Sequence, residues 1–379
     1  MNIFISAGDH SGDIHAANLV KALRSLNAQI HVEALGGENL KSAANQFNAD
    51  LVSLGGFGFW QPIKQYFKLR DIFKKQVENA WLQAKPDIVV LVDYYGFNIH
   101  IARLAKQRAI PVYYFVGPQV WASRPWRIKQ LKRTVTKMLL ILPFEEAIYR
   151  KADVPAVFVG NPMVDTVPEA LSAPERGTPK RYDMPQARQR QSPDVGGIPY
   201  VGLFAGSRPN VLKRHIPILL EAAKLIENET RAHFAFFASK NTAEHFYSLP
   251  YPVVIEDDYR ERQKLTIAIT TSGTVSLENA LLGIPMVVMY RLSGFNYAVA
   301  KLLVSIPHIA MANILTNKEL VPELIQNRAN AKDIASASLR FLKDDSYYFA
   351  VRKELLAIRE MLGAPGIYER TAKIILGKT

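Results

Sequence analysis

Short, continuously apolar, β-branched runs alternate with stretches of helix length, and the alternation occurs twice along the chain. In the first half the runs are Asn2–Ser6, His31–Leu35, Ile88–Val92, Val112–Val116, Met138–Leu142 and Ala156–Val159. In the second half they are Tyr200–Phe204, His233–Phe237, Val253–Ile255, Thr266–Thr270 and Met286–Met289. A strand with one wet face alternates polar and apolar residues, but Ile88-Val89-Val90-Leu91-Val92 has no polar face to turn to water. Strands of that kind are buried on both sides, as in parallel sheets covered by crossover helices. Helical stretches such as Asp13–Ser25 and Asn98–Arg108 lie between the runs. The pattern predicts an α/β chain of two doubly wound, Rossmann-like domains.

Length and composition support two domains. The 379 residues, 49% of them hydrophobic, suffice for two cores. Between the two series, Val167–Pro199 holds Pro168, Pro174, Pro179, Pro185, Pro193 and Pro199 together with Lys180, Arg181, Arg188 and Arg190. Proline and charge deny this stretch a core. The expected organisation is an N-terminal domain over 1–166, a linker or mobile loop over 167–199 and a C-terminal domain over 200–344. Helices over 345–379 are expected to pack on the N-terminal domain or on a partner subunit.

Several chemistries are excluded. The chain has no cysteine, so disulfides, thiolate metal sites and cysteine nucleophiles are absent. No Asp-x-Asp triplet or His/carboxylate spacing suggests a metal, and no cofactor is expected. The N-terminus shows no signal peptide, and no run approaches the roughly 18 apolar residues of a spanning helix. The net charge of +13 favours anionic partners. Part of it is local: Arg124, Arg127, Lys129, Lys132, Arg133 and Lys137 follow one another without an acid. This run reads equally as a solvated helix face. No helix-turn-helix, zinc or RNA-recognition signature accompanies it, so nucleic acid is not expected as a partner.

Candidate chemistry collects at strand ends, where open α/β sheets bind ligands. The first run leads into Ala7-Gly8-Asp9-His10-Ser11-Gly12-Asp13. Gly8 and Gly12 permit close backbone approach, and Ser11 or Asp13 is positioned to cap the following helix. The run Ile88–Val92 ends in Asp93, a candidate general base toward a sugar hydroxyl or a turn-forming Asp. Asp9 and Asp13 are the alternative bases. Tyr200–Phe204 ends in Ala205-Gly206-Ser207-Arg208, a turn suited to a phosphate at a helix N-terminus, with Arg208 adding a charge-assisted bond. Thr270-Thr271-Ser272-Gly273-Thr274 makes a second seat of that kind without a P-loop lysine, and Glu278 one turn later is placed to accept from ribose hydroxyls. The stretch Gly55–Arg70 interleaves Phe57, Phe59, Trp60, Ile63, Tyr66 and Phe67 with Lys64, Lys68 and Arg70. It suits a membrane-interfacial segment or acyl pocket, or else a core-facing helix with snorkelling lysines.

In these residues the chain resembles the lipid-A-disaccharide synthase family. The family's opening Ala-Gly-Glu-x-Ser-Gly-Asp appears as Ala7–Asp13. Its Lys-Pro-Asp, strand-ending Asp and Phe-Asn appear as Lys85-Pro86-Asp87, Asp93 and Phe97-Asn98. Pro118-Gln119-Val120-Trp121-Ala122, Leu142-Pro143-Phe144-Glu145, Gly206-Ser207-Arg208, Ser272–Glu278, Tyr290-Arg291 and Asn313 before Glu319-Leu320-Val321 follow in order. The resemblance implies the GT-B glycosyltransferase architecture, two facing Rossmann-like domains. It implies transfer of 2,3-diacylglucosamine from UDP to the 6-hydroxyl of 2,3-diacylglucosamine 1-phosphate (lipid X), β(1→6), with inversion and without metal. The implied place is the cytoplasmic face of the inner membrane of a Gram-negative bacterium, and the implied assembly is a homodimer that exchanges C-terminal segments. By resemblance Asp93 is the base, and Arg208, Ser272–Thr274, Glu278, Arg291 and Asn313 lie on the UDP side. The chain departs from the family at Asp9, His10, Gly96 and Asn161, where Glu, a small residue, a second acid and His are frequent. These departures bear on acceptor geometry. A UDP-sugar epimerase, the peptidoglycan lipid-intermediate glycosyltransferase and a non-catalytic nucleotide-sugar or lipid binder are the alternative readings.

Overall fold

The computed structural model describes residues 1–55, 61–170, 198–240, 242–256, 258–294, 297 and 306–378, with backbone alone for 61–66. The chain divides into two compact units: Met1–Asp165 with Leu362–Thr379, and Thr166–Met361. Most of the expected linker, residues 171–197, lies outside the described residues.

The first unit is built on seven parallel strands. They are β1 (Asn2–Ala7), β2 (His31–Gly36), β3 (Gln46–Asp50), β4 (Ile88–Val92), β5 (Val112–Phe115), β6 (Lys137–Leu140) and β7 (Ala156–Phe158). Their order across the sheet is β3-β2-β1-β4-β5-β6-β7. The period-2 side-chain alternation sorts each strand between two cores. Ile3, Ile5, Val90 and Val92 join one, while Phe4, Val89 and Leu91 join the other. Because both faces are covered, the apolar runs have no polar phase.

The second unit repeats the plan with β8 (Tyr200–Phe204), β9 (His233–Phe237), β10 (Val253–Val254), β11 (Ile267–Thr271), β12 (Met286–Tyr290) and β13 (Glu323–Ile325). Its order is β10-β9-β8-β11-β12-β13, again all parallel. In both sheets the chain starts mid-sheet, winds outward, then returns to the other side of its first strand. The crossovers leave β1 and β4, and likewise β8 and β11, in opposite directions. This opens a crevice at the carboxyl ends of those strand pairs.

The C-terminal residues are shared. Helix Asp345–Met361 belongs to the second unit, whereas helix Ile367–Ile375 belongs to the first. There Ile367, Ala372 and Ile375 enter the core beside helix His10–Leu26. Asp165 receives the Gly366 and Ile367 amides at 2.6 and 3.1 Å, and the Tyr368 hydroxyl meets His15 Nδ1 at 2.9 Å. Among the described residues no helix is long and apolar enough to cross a membrane.

Candidate functional site

The crevice between β1 and β4 holds a pair of carboxylates. Asp9 is the N-cap of helix His10–Leu26: its Oδ1 accepts the Gly12 amide at 2.6 Å and the Ser11 hydroxyl at 3.4 Å. The cap is thus neither Ser11 nor Asp13, the two residues that the sequence suggests. Asp13 is buried and faces the next turn. It accepts from the amides of Gly37, Asn39 and Leu40 and from Asn39 Nδ2, at 2.7–3.1 Å. With its oxygens occupied in tying the Gly36-Gly37 turn, Asp13 is no base.

Asp93 follows β4 in a backbone conformation that side chains disfavour. Asp93 and Tyr94 both have φ of 45°, each costing on the order of 1–3 kcal/mol. Surrounding groups hold the turn. The Asp93 carbonyl accepts from Asn98 Nδ2 at 2.9 Å and from the Tyr114 hydroxyl at 2.6 Å. Buried Asn98 in turn accepts the Ser6 hydroxyl at 2.7 Å. Gly8 lets the Tyr94 ring pack close, since a Cβ there would lie 2.0 Å from that ring. The strained turn sets the Asp93 carboxyl near Asp9, close enough for the two groups to act on each other electrostatically. Burial first, then the Asp9 charge and the shared hydrogen bond, push Asp93 up to about 7, against the pull of the Tyr94 amide.

Asp93 opens onto a cavity of about 460 Å³ shared with Gly96, Gln119, Ser123, Arg127 and Glu145. Glu145 is buried, with Trp121 Nε1 donating to it at 3.0 Å and the Leu142 amide at 3.3 Å. Burial pushes its carboxyl up to about 7, opposed by those two hydrogen bonds. Asn161, the departure from a frequent His, is also buried: its amide donates to the Ile141 carbonyl at 3.1 Å and accepts from the Met163 amide at 3.0 Å.

The crevice between β8 and β11 is furnished differently. Gly206 has φ of 104° and Gly273 φ of 142°, conformations that favour glycine. Arg208 is the N-cap of helix Pro209–Glu227, and Gly273 that of helix Thr274–Leu281. Both turns line one cavity of about 510 Å³, with Ser207, Ser272, Thr274 and Glu278 on its wall. The Ser272 hydroxyl donates to the Ile309 carbonyl at 2.7 Å, which fixes this turn.

Some assignments change. Asn313 is fully buried, and its amide is committed to the Val321 backbone and to Glu323 at 2.8–2.9 Å, so it braces the fold, and it is not among the residues lining that cavity. Tyr290 lines the cavity, and Arg291 is exposed beside it. Arg262 carries no mark in the sequence pattern. Its Nε reaches Glu256 at 2.6 Å and its Nη1 reaches Glu278 at 2.5 Å, while the guanidinium lies 5.1 Å from the Phe204 ring centroid. Glu278 is therefore oriented by a nearly buried cation. His215 is equally silent in the sequence: buried between two strand ends, it joins the Ala205 carbonyl to the Arg291 amide at 3.1 Å each, and burial lowers its pKa.

Phe57, Phe59 and Trp60 lie outside the described residues, as do the side chains of Ile63 and Tyr66. Phe67 is 55% exposed, whereas Leu69, Ile72 and Phe73 pack on the core. Among the described residues no group of three or more His, Cys, Asp or Glu is placed to hold a metal ion.

Two 3-2-1-4 sheets in one chain define the GT-B architecture of glycosyltransferases and related nucleotide-sugar enzymes. Solved structures share the fold over the whole chain. The UDP-GlcNAc 2-epimerase from Neisseria meningitidis bound to UDP-GlcNAc superposes with a TM-score of 0.57 at 14% identity, covering 100% of this chain and 99% of that one. MurG of Acinetobacter baumannii gives 0.58 at 14%, covering 99% of each. At the sequence level, a family model described as lipid-A-disaccharide synthetase matches residues 3–371. The lipid-A-disaccharide synthase of Trichlorobacter lovleyi is 33% identical over 382 residues, covering 99% of this chain and 96% of the relative. The chain belongs to the lipid-A-disaccharide synthase family, glycosyltransferases of lipid A biosynthesis.

Proposed function

We propose that the chain transfers 2,3-diacylglucosamine from UDP to the 6-hydroxyl of 2,3-diacylglucosamine 1-phosphate, with inversion and without a metal. The observation that carries this reading is the strained Asp93 turn at the crevice between β1 and β4, which sets its carboxyl beside that of Asp9. A primary hydroxyl is a poor nucleophile at neutral pH. A carboxylate pushed up to about 7 is matched to taking its proton as the new bond forms. Asp93 takes the proton of O6, O6 bonds to the donor's anomeric carbon, and the bond from that carbon to the UDP oxygen breaks. UDP leaves with the electron pair. In the second unit, the Gly206–Arg208 and Ser272–Thr274 turns accept the growing diphosphate charge, and Glu278, steadied by Arg262, receives the ribose hydroxyls.

The same reading puts the protein at an anionic membrane surface, on the cytoplasmic face of the inner membrane. Exposed Phe67 and Trp126, the latter 56% exposed within the basic run Arg124–Lys137, support it. The test is transfer between the two purified lipid substrates in excess EDTA. The product's mass and the anomeric coupling of its new bond decide the outcome. A β(1→6) disaccharide 1-phosphate formed in EDTA is expected. Product formed only after Mg²⁺ or Mn²⁺ is added, or an α linkage, would overturn the mechanism.

A further inference from the structure

The cavity beside Asp93 holds one more group whose chemistry the base does not use. Among its described lining residues Arg127 is the cation. The rest of the basic run behaves as ordinary surface where its partners are seen: Lys132, for example, pairs with Asp153 at 3.1 Å with both side chains exposed. Arg127 is half-buried, and no carboxylate pairs with it among the described residues. Its guanidinium lies over the Tyr95 ring, 4.4 Å from the centroid. That ring is itself fixed, since the Tyr95 hydroxyl donates to Gln130 at 2.9 Å. Stacking occupies the guanidinium's flat face and leaves its N–H edges for an acceptor in the plane. Ser123 and Gln119 add neutral donors to the same wall.

A guanidinium held in this way suits a tetrahedral oxyanion, which it can bind through two N–H groups. The electrostatics point the same way. Asp93 and Glu145 are both among the residues lining the cavity, so an anionic substrate entering it needs a cation of its own. A neutral sugar would not.

We infer that Arg127 is the anchor for the acceptor's phosphate, so that this cavity selects a sugar carrying a phosphate monoester at one end and presents its far hydroxyl to Asp93. This rests on the acceptor reading above. It adds a specificity-determining residue: Arg127 fixes which end of the acceptor faces the base.

The test is equilibrium binding to the full chain, in detergent mixed micelles, of 2,3-diacylglucosamine with and without its 1-phosphate. Binding requires no turnover. The wild type is expected to prefer the phosphorylated lipid by about 10- to 100-fold, the range for charged hydrogen bonds. Arg127→Gln should bring that ratio close to one, and Arg127→Lys should restore part of it. Lys132→Gln, which removes the same charge from the same helix, should keep the wild-type ratio. Thermal melting checks that each variant is folded. If the wild type shows no preference, or if Arg127→Gln lowers both affinities equally, the anchor is elsewhere and Arg127 only braces Tyr95. If the ratio collapses as expected but no disaccharide forms, the transfer reading fails and the anchor stands. Disaccharide formation with an unchanged ratio in Arg127→Gln overturns the anchor and leaves the transfer reading standing.

Discussion

The two units share one topology and differ in what their switch points carry. Between β1 and β4 the turns present carboxyl groups and aromatic rings: Asp9, Asp93, Tyr94 and Tyr95. Between β8 and β11 they present glycines, hydroxyls and an arginine: Gly206, Ser207, Arg208, Ser272 and Gly273. The strain is placed differently too. In the first unit non-glycine residues adopt positive φ at Asp93 and Tyr94; in the second, positive φ at the corresponding turns falls on Gly206 and Gly273. A glycine turn offers bare backbone to a phosphate at little conformational penalty. A strained Asp fixes one carboxyl against another, which the protein retains although relaxed geometry would be more stable. On the function proposed above, the same scaffold supplies a proton acceptor in one half and an anion seat in the other.

The largest effect expected from breaking this division is at Asp93. Asp93→Asn keeps the side chain's shape but cannot take a proton. It should lower kcat by about 10²–10⁴-fold and leave the UDP dissociation constant within about twofold. Isothermal titration with UDP and initial rates on the same preparation check both halves. A variant retaining more than about a tenth of the rate would remove Asp93 from the role of base.

Arg208→Ala should show the complementary pattern. Losing a charged contact to the diphosphate weakens UDP binding by about 10- to 100-fold, while the acceptor dissociation constant stays near wild type. Equal loss toward both substrates would mean that the two switch points do not divide the work.

The smallest effect is thermodynamic. In the folded chain Asp93 is pushed up to about 7 from a reference of 3.8. Between these values the folded state holds the proton more tightly than the unfolded one. The group's contribution therefore falls as pH rises through that window, and ionised Asp93 is a liability above it. Asp93→Asn should melt a few degrees above wild type at pH 8, on the order of 1 kcal/mol after solvent screening. The gap should close near pH 4. Melting curves at the two pH values decide it, and a variant less stable than wild type at pH 8 would contradict the like-charge account.

Strands buried on both faces were legible because nothing in Ile88–Val92 or Tyr200–Phe204 offers an alternative, and both match the structure residue for residue. The strand Gln46–Asp50 was not, because an edge strand of Gln, Phe, Asn, Ala and Asp lacks the apolar run. Short Glu323–Ile325 escaped for want of length. Asp93 and the Gly206 turn could be found because strand ends in such sheets are where ligands sit. Contacts made across the fold left no local mark. The Asp13 clamp on Gly37, the Arg262–Glu278 ion pair, and the stacking of Arg127 on Tyr95 all join residues brought together by separate crossovers. Asn313, which the family resemblance places on the UDP side, is instead found holding the Val321 backbone in the core.

The most direct test of the carboxylate pair is the pH dependence of kcat/KM for the acceptor in wild type and Asp9→Asn. Asparagine keeps the side-chain oxygen that caps helix His10–Leu26, so the fold should survive while the charge beside Asp93 is lost. Wild type should lose activity as pH falls through about 7, where Asp93 takes up its proton. Without the Asp9 charge and shared hydrogen bond, Asp93 should ionise more readily, moving the acid limb down by about one pH unit. An acid limb at the same pH in both proteins would mean that Asp9 does not tune the base, and the pair would lose its place at the centre of the mechanism.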